Sequence, residues 1–566
     1  MASLERALVF IGFMGAGKST AAAEVADELG VRALDADALL EAQLGHSIAR
    51  EFELGGEARF RELEERVVCE VLDPDARART HARVGVDLQV VALGGGAVLS
   101  ERVRAALRPH VTVLLDVESE LAWERVCGER RGGGEERPLA RDPAAFAALH
   151  AARRPLYEEL ADAILPAQRP GVARRALPAL RALAATQAPA PMPRMLWAAA
   201  ASGEYPVLVG RGLLDPSGSP EIWELGTQHP TGAAGCGHAF CVTDETVAAL
   251  YAPPLRATHP PIAIPPGEAH KTLASAERVW RELAVAGMTR ADHLVALGGG
   301  VVGDLAGFCA ATYQRGVPVV QAPTTLVAQV DSAYGGKTGI DLPEAKNYVG
   351  AYHQPAAVIV DPDALRTLPA AELGAGWAEV LKTALIAGGE LWERIAADEP
   401  VDERTILECA RLKLSVVAAD ERDGGRRQVL NLGHTIGHAI ETATGYTRYR
   451  HGEAVGLGLL AALRLSGQAR LRAQVRELLL AHDLPVSLRD SAGAHDGAGG
   501  LGVVDLEAVL AAVAHDKKRV GEHVPFVLLD APGETRVGCK VAPEELRAAV
   551  AELADATEPP LPPGRL

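Results

Sequence analysis

The clearest indication of the fold of the first half of the chain is the sequence "ALVFIGFMGAGKST" (residues 7–20). An apolar run typical of a buried strand leads into the pattern G-x-x-x-x-G-K-[ST] and then into a helical segment, "KSTAAAEVADELG". This order predicts a cradle in which backbone N–H groups and a helix N-terminus hold phosphate. Lys18 would reach the terminal phosphates, and Ser19 would ligate Mg²⁺. The motif gives six candidate nucleotide ligands: Gly12, Gly15, Gly17, Lys18, Ser19 and Thr20.

Composition narrows the class of protein. The chain has 566 residues, of which 48% are hydrophobic and 23% charged, so we expect a globular protein of several domains. The formal charge of −17 argues against a nucleic-acid partner, because phosphate backbones are bound by clustered Lys and Arg. Seven scattered cysteines predict no disulfide framework and a cytoplasmic setting. No apolar run reaches the roughly 18 residues of a membrane helix, so no membrane partner is expected.

The pattern of predicted elements divides the chain. Val/Leu/Ile runs alternate with Ala/Glu/Arg-rich segments to about residue 183, which is typical of helices around a parallel sheet. A second α/β pattern starts near residue 204, and helical patterns replace it from about 371. We predict an α/β fold with a phosphate-binding domain at 1–183, a linker at 184–203, an α/β subdomain at 204–370, a mostly helical subdomain at 371–556 and a disordered tail at 557–566.

The phrase "VALGGG" occurs twice, at 91–96 and at 295–300. Each copy reads as a buried strand that ends in glycines, which let the backbone approach a ligand closely. The residues that follow differ, and no other stretch repeats at that offset. We therefore interpret the phrase as one local device used in two places and not as a duplication.

The first half offers further candidate ligands. In "ALDADALLE" (33–41), Asp35 and Asp37 follow a predicted second strand, and alternation directs them to one site. "GEARFRELEE" (56–65) supplies Arg61, the basic, glycine-rich segment 128–142 suits a mobile lid, and "ARRPLYEELAD" (152–162) adds two adjacent arginines. In this order these segments resemble shikimate kinase over about 170 residues.

The resemblance implies a role for each of these positions. Asp35 would support Mg²⁺ indirectly, Asp37 would orient a shikimate hydroxyl or act as base, and Arg137 would close over the transferred phosphoryl group of ATP. The shikimate carboxylate would pair with two arginines, one of them Arg153 or Arg154, of which spacing favours the former. The implied shikimate ligands are Asp37, Arg61, Gly95, Gly96 and Arg153.

The second half contains a pattern of metal ligands. Glu379 lies in "GWAEVLKTA", His434 and His438 in "NLGHTIGHAIE" one helical turn apart, and His451 in "RHGEAVGLG". One carboxylate with two imidazoles leaves positions open for substrate oxygens, as in catalytic zinc sites. By contrast, "CGHAFC" (236–241) lacks a second ligand pair at zinc-finger spacing. Basic residues around the pattern suggest an anionic substrate: Arg315, Lys337, Lys346, Lys413, Arg427, Lys517 and Lys518.

Six phrases in order, "GGGVVGDLAGFCAATYQRG", "PTTLVAQVDSAYGGKTGID", "KNYVGAYHQP", "AEVLKTA", "LNLGHTIGHAIE" and "HGEAVGLG", resemble 3-dehydroquinate synthase over roughly 204–530. The resemblance implies that Glu379, His434 and His451 bind Zn²⁺ or Co²⁺. It implies that NAD contacts Asp244, Glu268, Lys271, Gly299, Gly300, Val301, Asp304, Thr324, Thr325, Asp331, Lys337, Lys346, Asn347 and Thr367. Implied substrate ligands are Arg315, Asp331, Lys337, Lys346, Asn347, Lys382, Lys413, Arg427, Asn431, His438 and either Lys517 or Lys518. Lys337, Lys382, Lys413 and His438 would be catalytic.

Together the two resemblances imply a fusion of a P-loop kinase with an NAD- and metal-dependent synthase that dimerises through its second half. Alternatives stay open for each half. The second half could be another sugar-phosphate cyclase or a polyol dehydrogenase, and the first half another small-molecule kinase, such as a gluconate or nucleoside kinase. Either could also be a binding module without activity.

Overall fold

The computed structural model describes residues 6–73, 89–131, 142–186, 191–215, 220–227, 237–251, 259–489, 504–514 and 524–554. Arg137, Lys517, Lys518, Cys236 and the predicted tail at 557–566 lie outside these residues. The chain forms two compact units, Met1–Ala199 with Tyr205–Gln228, and Ala200–Glu204 with His229–Leu566.

The first unit is built on a mainly parallel sheet with strand order β2-β3-β1-β4-β5-β6-β7. Its strands are β1 Leu8–Ile11, β2 Leu34–Asp35, β3 Val90–Ala92, β4 Val111–Asp116, β5 Ala163–Pro166, β6 Arg194–Ala199 and β7 Glu204–Val209. Its helices are α1 Lys18–Leu29, α2 Ala36–Leu44, α3 Ile48–Leu72, α4 Glu101–Leu107, α5 Ser119–Arg131, α6 Pro143–Leu160, α7 Val172–Ala185 and α8 Pro220–Trp223. The central strands β1, β3 and β4 are almost wholly buried, as expected of a parallel sheet covered on both faces.

The structure corrects the predicted linker. Residues 194–199, inside the range expected to be linker, form β6, and α7 continues to Ala185. Strand β6 pairs in parallel with β5, with Met195 opposite Ala163 and Leu196 opposite Ile164. The Pro- and Ala-rich composition suggested a linker, but pairing with β5 satisfies the backbone groups of this segment and buries its apolar side chains.

The second unit contains a parallel sheet with strand order β14-β11-β10-β8-β9. These strands are β8 Ala239–Asp244, β9 Ile262–Ile264, β10 His293–Gly298, β11 Val319–Pro323 and β14 Ala357–Val360. Two antiparallel hairpins join β12 Lys337–Leu342 to β13 Ala345–Tyr352 and β15 Phe526–Ala531 to β16 Glu534–Cys539. The apolar core lies between this sheet, α10 Leu273–Val285 and α11 Gly300–Thr312.

The remaining helices of the second unit are α9 Glu245–Leu250, α12 Ala370–Ala387, α13 Gly389–Ala396, α14 Glu403–Ala419, α15 His434–Ala443, α16 His451–Leu465, α17 Ala469–Ala481, α18 Leu506–Ala514 and α19 Pro543–Ala554. The predicted α/β fold with a helical second part is confirmed, and the β15–β16 hairpin is an addition to the helical part. None of the helices in the described ranges combines the length and apolar character needed to cross a membrane.

Both copies of "VALGGG" end a buried strand of a parallel sheet, β3 in the first unit and β10 in the second. After β3 the chain turns through a short 3₁₀ helix, Ala97–Leu99, whereas after β10 it enters α11 directly. The shared phrase therefore serves the same local geometry in two different surroundings.

Candidate active sites

The glycine-rich loop after β1 has the geometry of a phosphate cradle. Gly15 and Gly17 have φ values of 77° and 88°, in the left-handed region that favours glycine. A Cβ on Gly15 would lie 2.5 Å from the carbonyl oxygen of Ala122, so the loop also needs glycine for space. Helix α1 begins directly behind the loop at Lys18, and Ser19 in its first turn is exposed. The loop thus presents a helix N-terminus, a lysine and a hydroxyl on one side, as a bound polyphosphate requires.

An acidic pair lies beside this loop at the end of β2. Asp35 caps α2, because its Oδ1 accepts hydrogen bonds from the backbone N–H groups of Asp37 (3.0 Å) and Ala38 (3.2 Å). A Cβ on Gly94 would lie 2.6 Å from Asp37 Oδ1, so the Asp37 carboxylate lies against the first of the three glycines after β3. Asp35 therefore fixes the backbone that carries Asp37.

Arg61 reaches the third of these glycines, since a Cβ on Gly96 would lie 2.0 Å from its Nη1. The guanidinium is held by Glu64, whose Oε2 is 2.5 Å from Nη1, and by Glu57 at 3.2 Å. Burial raises the pKa of Glu64, although Arg61 acts in the opposite direction. Sequence reasoning missed Glu64, and the only available signal was its position one helical turn after Arg61.

The two adjacent arginines of α6 point to different surroundings. Arg153 is buried and donates from Nη1 to the carbonyl oxygen of Gly95 at 3.4 Å. The hydroxyl of Tyr157, one turn further along, donates to the same oxygen, and burial raises the pKa of Tyr157 to about 12. Arg154 instead pairs with Glu158 at 2.7 Å and with acidic residues at the end of β4. The geometry therefore favours Arg153 over Arg154 as the predicted carboxylate-binding arginine beside the three glycines.

In the second unit, the predicted NAD residues gather at the carboxyl ends of the parallel strands. Gly299 follows β10, Asp244 ends β8, and Thr324 follows β11 and donates its N–H to the Gly298 carbonyl at 3.0 Å. A Cβ on Gly299 would lie 2.8 Å from a methyl group of Thr325, so the backbone here passes close to its neighbour. Such an edge, with α11 starting at Gly300, is where open α/β sheets bind dinucleotides.

Lys271 forms ion pairs with the acidic residues at this edge of the sheet. Its buried ammonium lies 2.7 Å from Glu268, 3.3 Å from Asp304 and 3.7 Å from Asp341. Burial raises the pKa of Asp304 to about 6, despite the nearby lysine. Asp341 was not among the predicted residues; its Oδ1 accepts from the N–H of Asn347 at 2.7 Å and so fixes the turn of the β12–β13 hairpin.

Four predicted metal-site residues converge between helices α12, α15 and α16. The ligand nitrogens of His434, His438 and His451 lie within 4.8 Å of one another. Glu379 Oε1 is 3.6 Å from His434 Nε2 and 3.3 Å from His451 Nε2. Both Glu379 oxygens are buried without a well-oriented hydrogen bond from any described residue, although Lys382 lies 2.6 Å away. A buried carboxylate among imidazoles is a donor set that fits Zn²⁺ or Co²⁺.

Glycines allow the three helices to approach closely enough for these ligands to meet. A Cβ on Gly452, in the first turn of α16, would lie 1.8 Å from the carbonyl oxygen of Ala375 in α12. A Cβ on Gly458 would lie 2.0 Å from the carbonyl oxygen of Gly433, which precedes α15. The glycines of "HGEAVGLG" therefore have a packing role that brings His451 to Glu379 and His434.

Two predicted catalytic lysines share one carboxylate. Asp331 accepts from Lys382 Nζ at 2.9 Å and also pairs with Lys413 Nζ, which donates to the Asp331 carbonyl oxygen at 2.6 Å. Burial opposes ionisation, but the two ammonium groups hold the pKa of Asp331 well below its usual range. Burial opposes the charge of Lys382, but Asp331 and Glu379 raise its pKa, so this lysine stays charged next to Glu379. Burial lowers the pKa of Lys413, although Asp331 acts in the opposite direction.

Several other predicted substrate residues lie on the β12–β13 hairpin and in the segment before α15. Lys337 pairs with Asp423 at 2.5 Å, and the buried Arg427 donates to the carbonyl oxygen of Gly335 at 3.1 Å. Lys346 lies 3.3 Å from Glu441 Oε1. Burial alone would raise the pKa of Glu441, but His451 and Lys346 lower it to about 2. Glu441 is the last residue of the phrase "NLGHTIGHAIE", and the sequence alone gave it no role.

The other predicted positions have the following local surroundings. Asn431 is half-buried at the end of a 3₁₀ turn, Arg426–Asn431. Thr367 Oγ1 lies 2.8 Å from the hydroxyl of Tyr251, and Val301 is in the first turn of α11. Arg315 is exposed with a φ of 71° and precedes β11, so it lies at the amino edge of the sheet, opposite Gly299 and Thr324. Within one copy of the chain, the structure therefore does not bring Arg315 to the other substrate residues.

Comparisons with known proteins support the resemblance of each half of the chain. A family model for shikimate kinase matches residues 14–180, and models for the N-terminal and C-terminal parts of 3-dehydroquinate synthase match 261–375 and 376–519. The 3-dehydroquinate synthase of Symbiobacterium thermophilum is 42% identical over 364 residues, covering 61% of this chain and 96% of its own. That of Halorhodospira halophila is 40% identical, covering 63% and 99%.

Among solved structures, a 2-epi-5-epi-valiolone synthase from Streptomyces hygroscopicus subsp. jinggangensis, with NAD⁺ and Zn²⁺ bound, is similar to the second half. It is 25% identical with a TM-score of 0.52, and the match covers 62% of this chain and 96% of that one.

Proposed function

The chain belongs to the 3-dehydroquinate synthase family and carries a shikimate kinase domain before the synthase part, and we propose that it catalyses two reactions with separate sets of residues. One domain phosphorylates shikimate with ATP. The other converts 3-deoxy-D-arabino-heptulosonate 7-phosphate to 3-dehydroquinate and phosphate. The relatives of matching name are 40–42% identical, against 25% for the valiolone synthase, so no second cyclase activity is proposed.

In the kinase, we assign ATP to the loop of Gly12–Thr20, with Mg²⁺ on Ser19 and supported indirectly by Asp35. The observation that carries the shikimate site is the convergence of Asp37, Arg61 and Arg153 on the three glycines after β3. Two guanidinium groups there suit the carboxylate of shikimate, and Asp37 suits the hydroxyl that attacks the phosphate. Arg137, from the resemblance, would complete the charge stabilisation.

In the synthase, NAD would lie along the strand ends at Gly299 and Gly300, and a divalent metal would be held by Glu379, His434 and His451. When bound, these groups supply a hydride acceptor that is regenerated and a Lewis acid for a ring oxygen. Lys382 and Lys413, ordered by Asp331, would bind the anionic oxygens of the substrate. Arg427 and His438 would orient it, and the buried setting would exclude water.

We further propose that the synthase works as a homodimer in the cytoplasm. If Arg315 contacts the substrate, as the family resemblance implies, it must do so from a second copy, because it lies at the opposite edge of its own sheet. The described cysteines are free thiols, which fits a reducing compartment. The acidic chain is not expected to bind nucleic acid or membrane.

Two single-site variants test which residues serve the kinase and which serve the synthase. Lys18→Met should lower kinase turnover by about 10²–10³-fold, as removal of a charge-stabilising group does, and should leave synthase turnover unchanged. His434→Asn should abolish the synthase and leave the kinase unchanged. Each activity is measured in both variants. A Lys18→Met protein with full kinase activity would overturn the cradle assignment, and a His434→Asn protein with full synthase activity would overturn the metal assignment.

A further inference from the structure

The carboxylate of Glu441 lies between the metal-site histidines and the β12–β13 hairpin. Glu441 is in α15, one turn after His438, and its side chain is only 3% exposed. Oε2 is 3.3 Å from His451 Nδ1, and Oε1 is 3.3 Å from Lys346 Nζ. One buried carboxylate thus contacts two residues that the family resemblance assigns to different ligands.

On the histidine side, the contact selects a ring nitrogen. An imidazole that binds a metal commonly donates its other N–H to a carboxylate or carbonyl oxygen, which fixes the tautomer and the ring orientation. With Nδ1 of His451 donating to Glu441, Nε2 is left as the lone-pair atom, and Nε2 is the atom that lies 3.3 Å from Glu379. His434 has the same arrangement, since its Nδ1 is 3.2 Å from the Leu432 carbonyl oxygen.

On the hairpin side, Lys346 contacts Tyr446 as well as Glu441, and it lies 3.8 Å from Glu268 Oε1. The ammonium lies 4.5 Å from the centre of the Tyr446 ring, a cation–π distance. Tyr446 has a φ of 59°, an uncommon conformation for an aromatic residue, and its hydroxyl lies 3.0 Å from Thr442 Oγ1. A costly backbone conformation that directs a ring to a functional lysine suggests a role for that ring.

We propose that Glu441 and Tyr446 are positioning residues of the synthase. Glu441 fixes the metal-binding tautomer of His451, and together with Tyr446 it holds Lys346 and so docks the β12–β13 hairpin beside the metal centre. The inference rests on the proposed function for the identity of what His451 and Lys346 bind. The contacts themselves are independent of that assignment.

Zinc binding by the metal-free, full-length protein tests the histidine side without an activity assay. Competition with a chromophoric chelator should show that Glu441→Gln binds Zn²⁺ about 10–100-fold more weakly than the unchanged chain. The matched control is Glu453→Gln, a buried carboxylate in α16 that contacts Arg450 and caps the helix. The control should stay within about threefold of the unchanged chain, since its carboxylate has no histidine partner among these contacts.

Wild-type affinity in Glu441→Gln, or an equal loss in Glu453→Gln, would overturn the inference. An unchanged chain that binds no Zn²⁺ would overturn the proposed metal centre itself, and this failure is distinct because it appears before any substitution is made.

Two replacements of Tyr446 test the hairpin side. Tyr446→Phe keeps the ring face, whereas Tyr446→Leu removes it. Hydrogen exchange of residues 345–352 should be faster in the leucine variant only. The KM for the sugar phosphate should rise about 3–10-fold in that variant, with kcat nearly unchanged, which is the range of a partly exposed cation–π contact. If both variants behave alike, whether both normal or both impaired, the ring face does not hold Lys346 and this part of the inference is wrong.

Discussion

Arg153 donates from Nη1 to the Gly95 carbonyl oxygen at 3.4 Å, while its neighbour Arg154 pairs with Glu158. This difference predicts different effects on shikimate binding. Arg153→Lys should raise the KM for shikimate about 10–100-fold, because a charge-assisted, fork-shaped contact to a carboxylate contributes roughly 1.5–3 kcal/mol. Arg154→Lys should change the KM by less than about threefold, as expected of a partly exposed ion pair. Steady-state kinetics of both variants measure these KM values. A larger rise in KM for Arg154→Lys than for Arg153→Lys would assign the shikimate carboxylate to Arg154 instead.

The Glu379 carboxylate predicts the metal requirement of the second half. Glu379→Gln should lower the zinc affinity of the chain by more than the about 10–100-fold that loss of an outer partner costs, because a charged ligand is removed. Synthase turnover should fall with metal content. Kinase turnover, measured on the same sample, serves as the internal control and should not change. Full zinc content and synthase activity in the variant would contradict the assignment.

Gly458 predicts a structural sensitivity beside the metal site. A Cβ there would meet the Gly433 carbonyl oxygen at 2.0 Å, so Gly458→Ala must separate α16 from the start of α15. We expect a loss of roughly 1–3 kcal/mol in stability, as overpacking typically causes, together with weaker zinc binding. Gly128→Ala is the matched control, because a Cβ on Gly128 meets nothing within 4 Å and should stabilise its helix by about 0.5–1 kcal/mol. Thermal unfolding and zinc titration of both variants test this, and a Gly458→Ala protein as stable as the unchanged chain would contradict the packing argument.

His293 predicts acid sensitivity of the second unit. Burial lowers the pKa of this strand residue to about 4, and neither ring nitrogen has a hydrogen-bond partner among the described residues. Between about pH 4 and 6.5 the unfolded chain binds more protons than the folded one, so the unfolding free energy falls as pH falls through this window. The lowered pKa of His293 reduces the unfolding free energy by up to about 3 kcal/mol across this pH window.

His293→Leu should remove this contribution. Hydrogen exchange of the β10 peptide, compared at pH 7.5 and pH 5, should accelerate on acidification in the unchanged chain more than in the variant. Equal acceleration in both proteins would show that other groups cause the acid sensitivity.

Sequence patterns predicted the local structure well, because local structure depends on residues close together in the chain. The loop Gly12–Thr20 needs its glycines for backbone conformation, and the β-α alternation follows from short buried strands. The His434–His438 spacing places both rings on one helical face, and the structure brings the predicted His451 close to them.

Relationships between distant segments could not be read from these patterns. Glu64 and Glu441 look like ordinary helical acids until the fold buries them against Arg61 and His451. Composition suggested a linker at the segment where β6 pairs with β5. The sequence grouped Arg315 with the other basic residues, but the sheet separates it from the carboxyl ends of the strands. In each case the role of the residue or segment depends on its neighbours in the tertiary structure, which are distant in the sequence.

The synthase activity is tested with NAD far below the substrate concentration. Metal-loaded protein is incubated with 3-deoxy-D-arabino-heptulosonate 7-phosphate, phosphate release is followed, and the carbocycle is identified by NMR. We predict many phosphates released per NAD and 3-dehydroquinate as the product, because NAD is regenerated in each turnover. No phosphate release, or NADH that accumulates in step with substrate loss, would contradict the account.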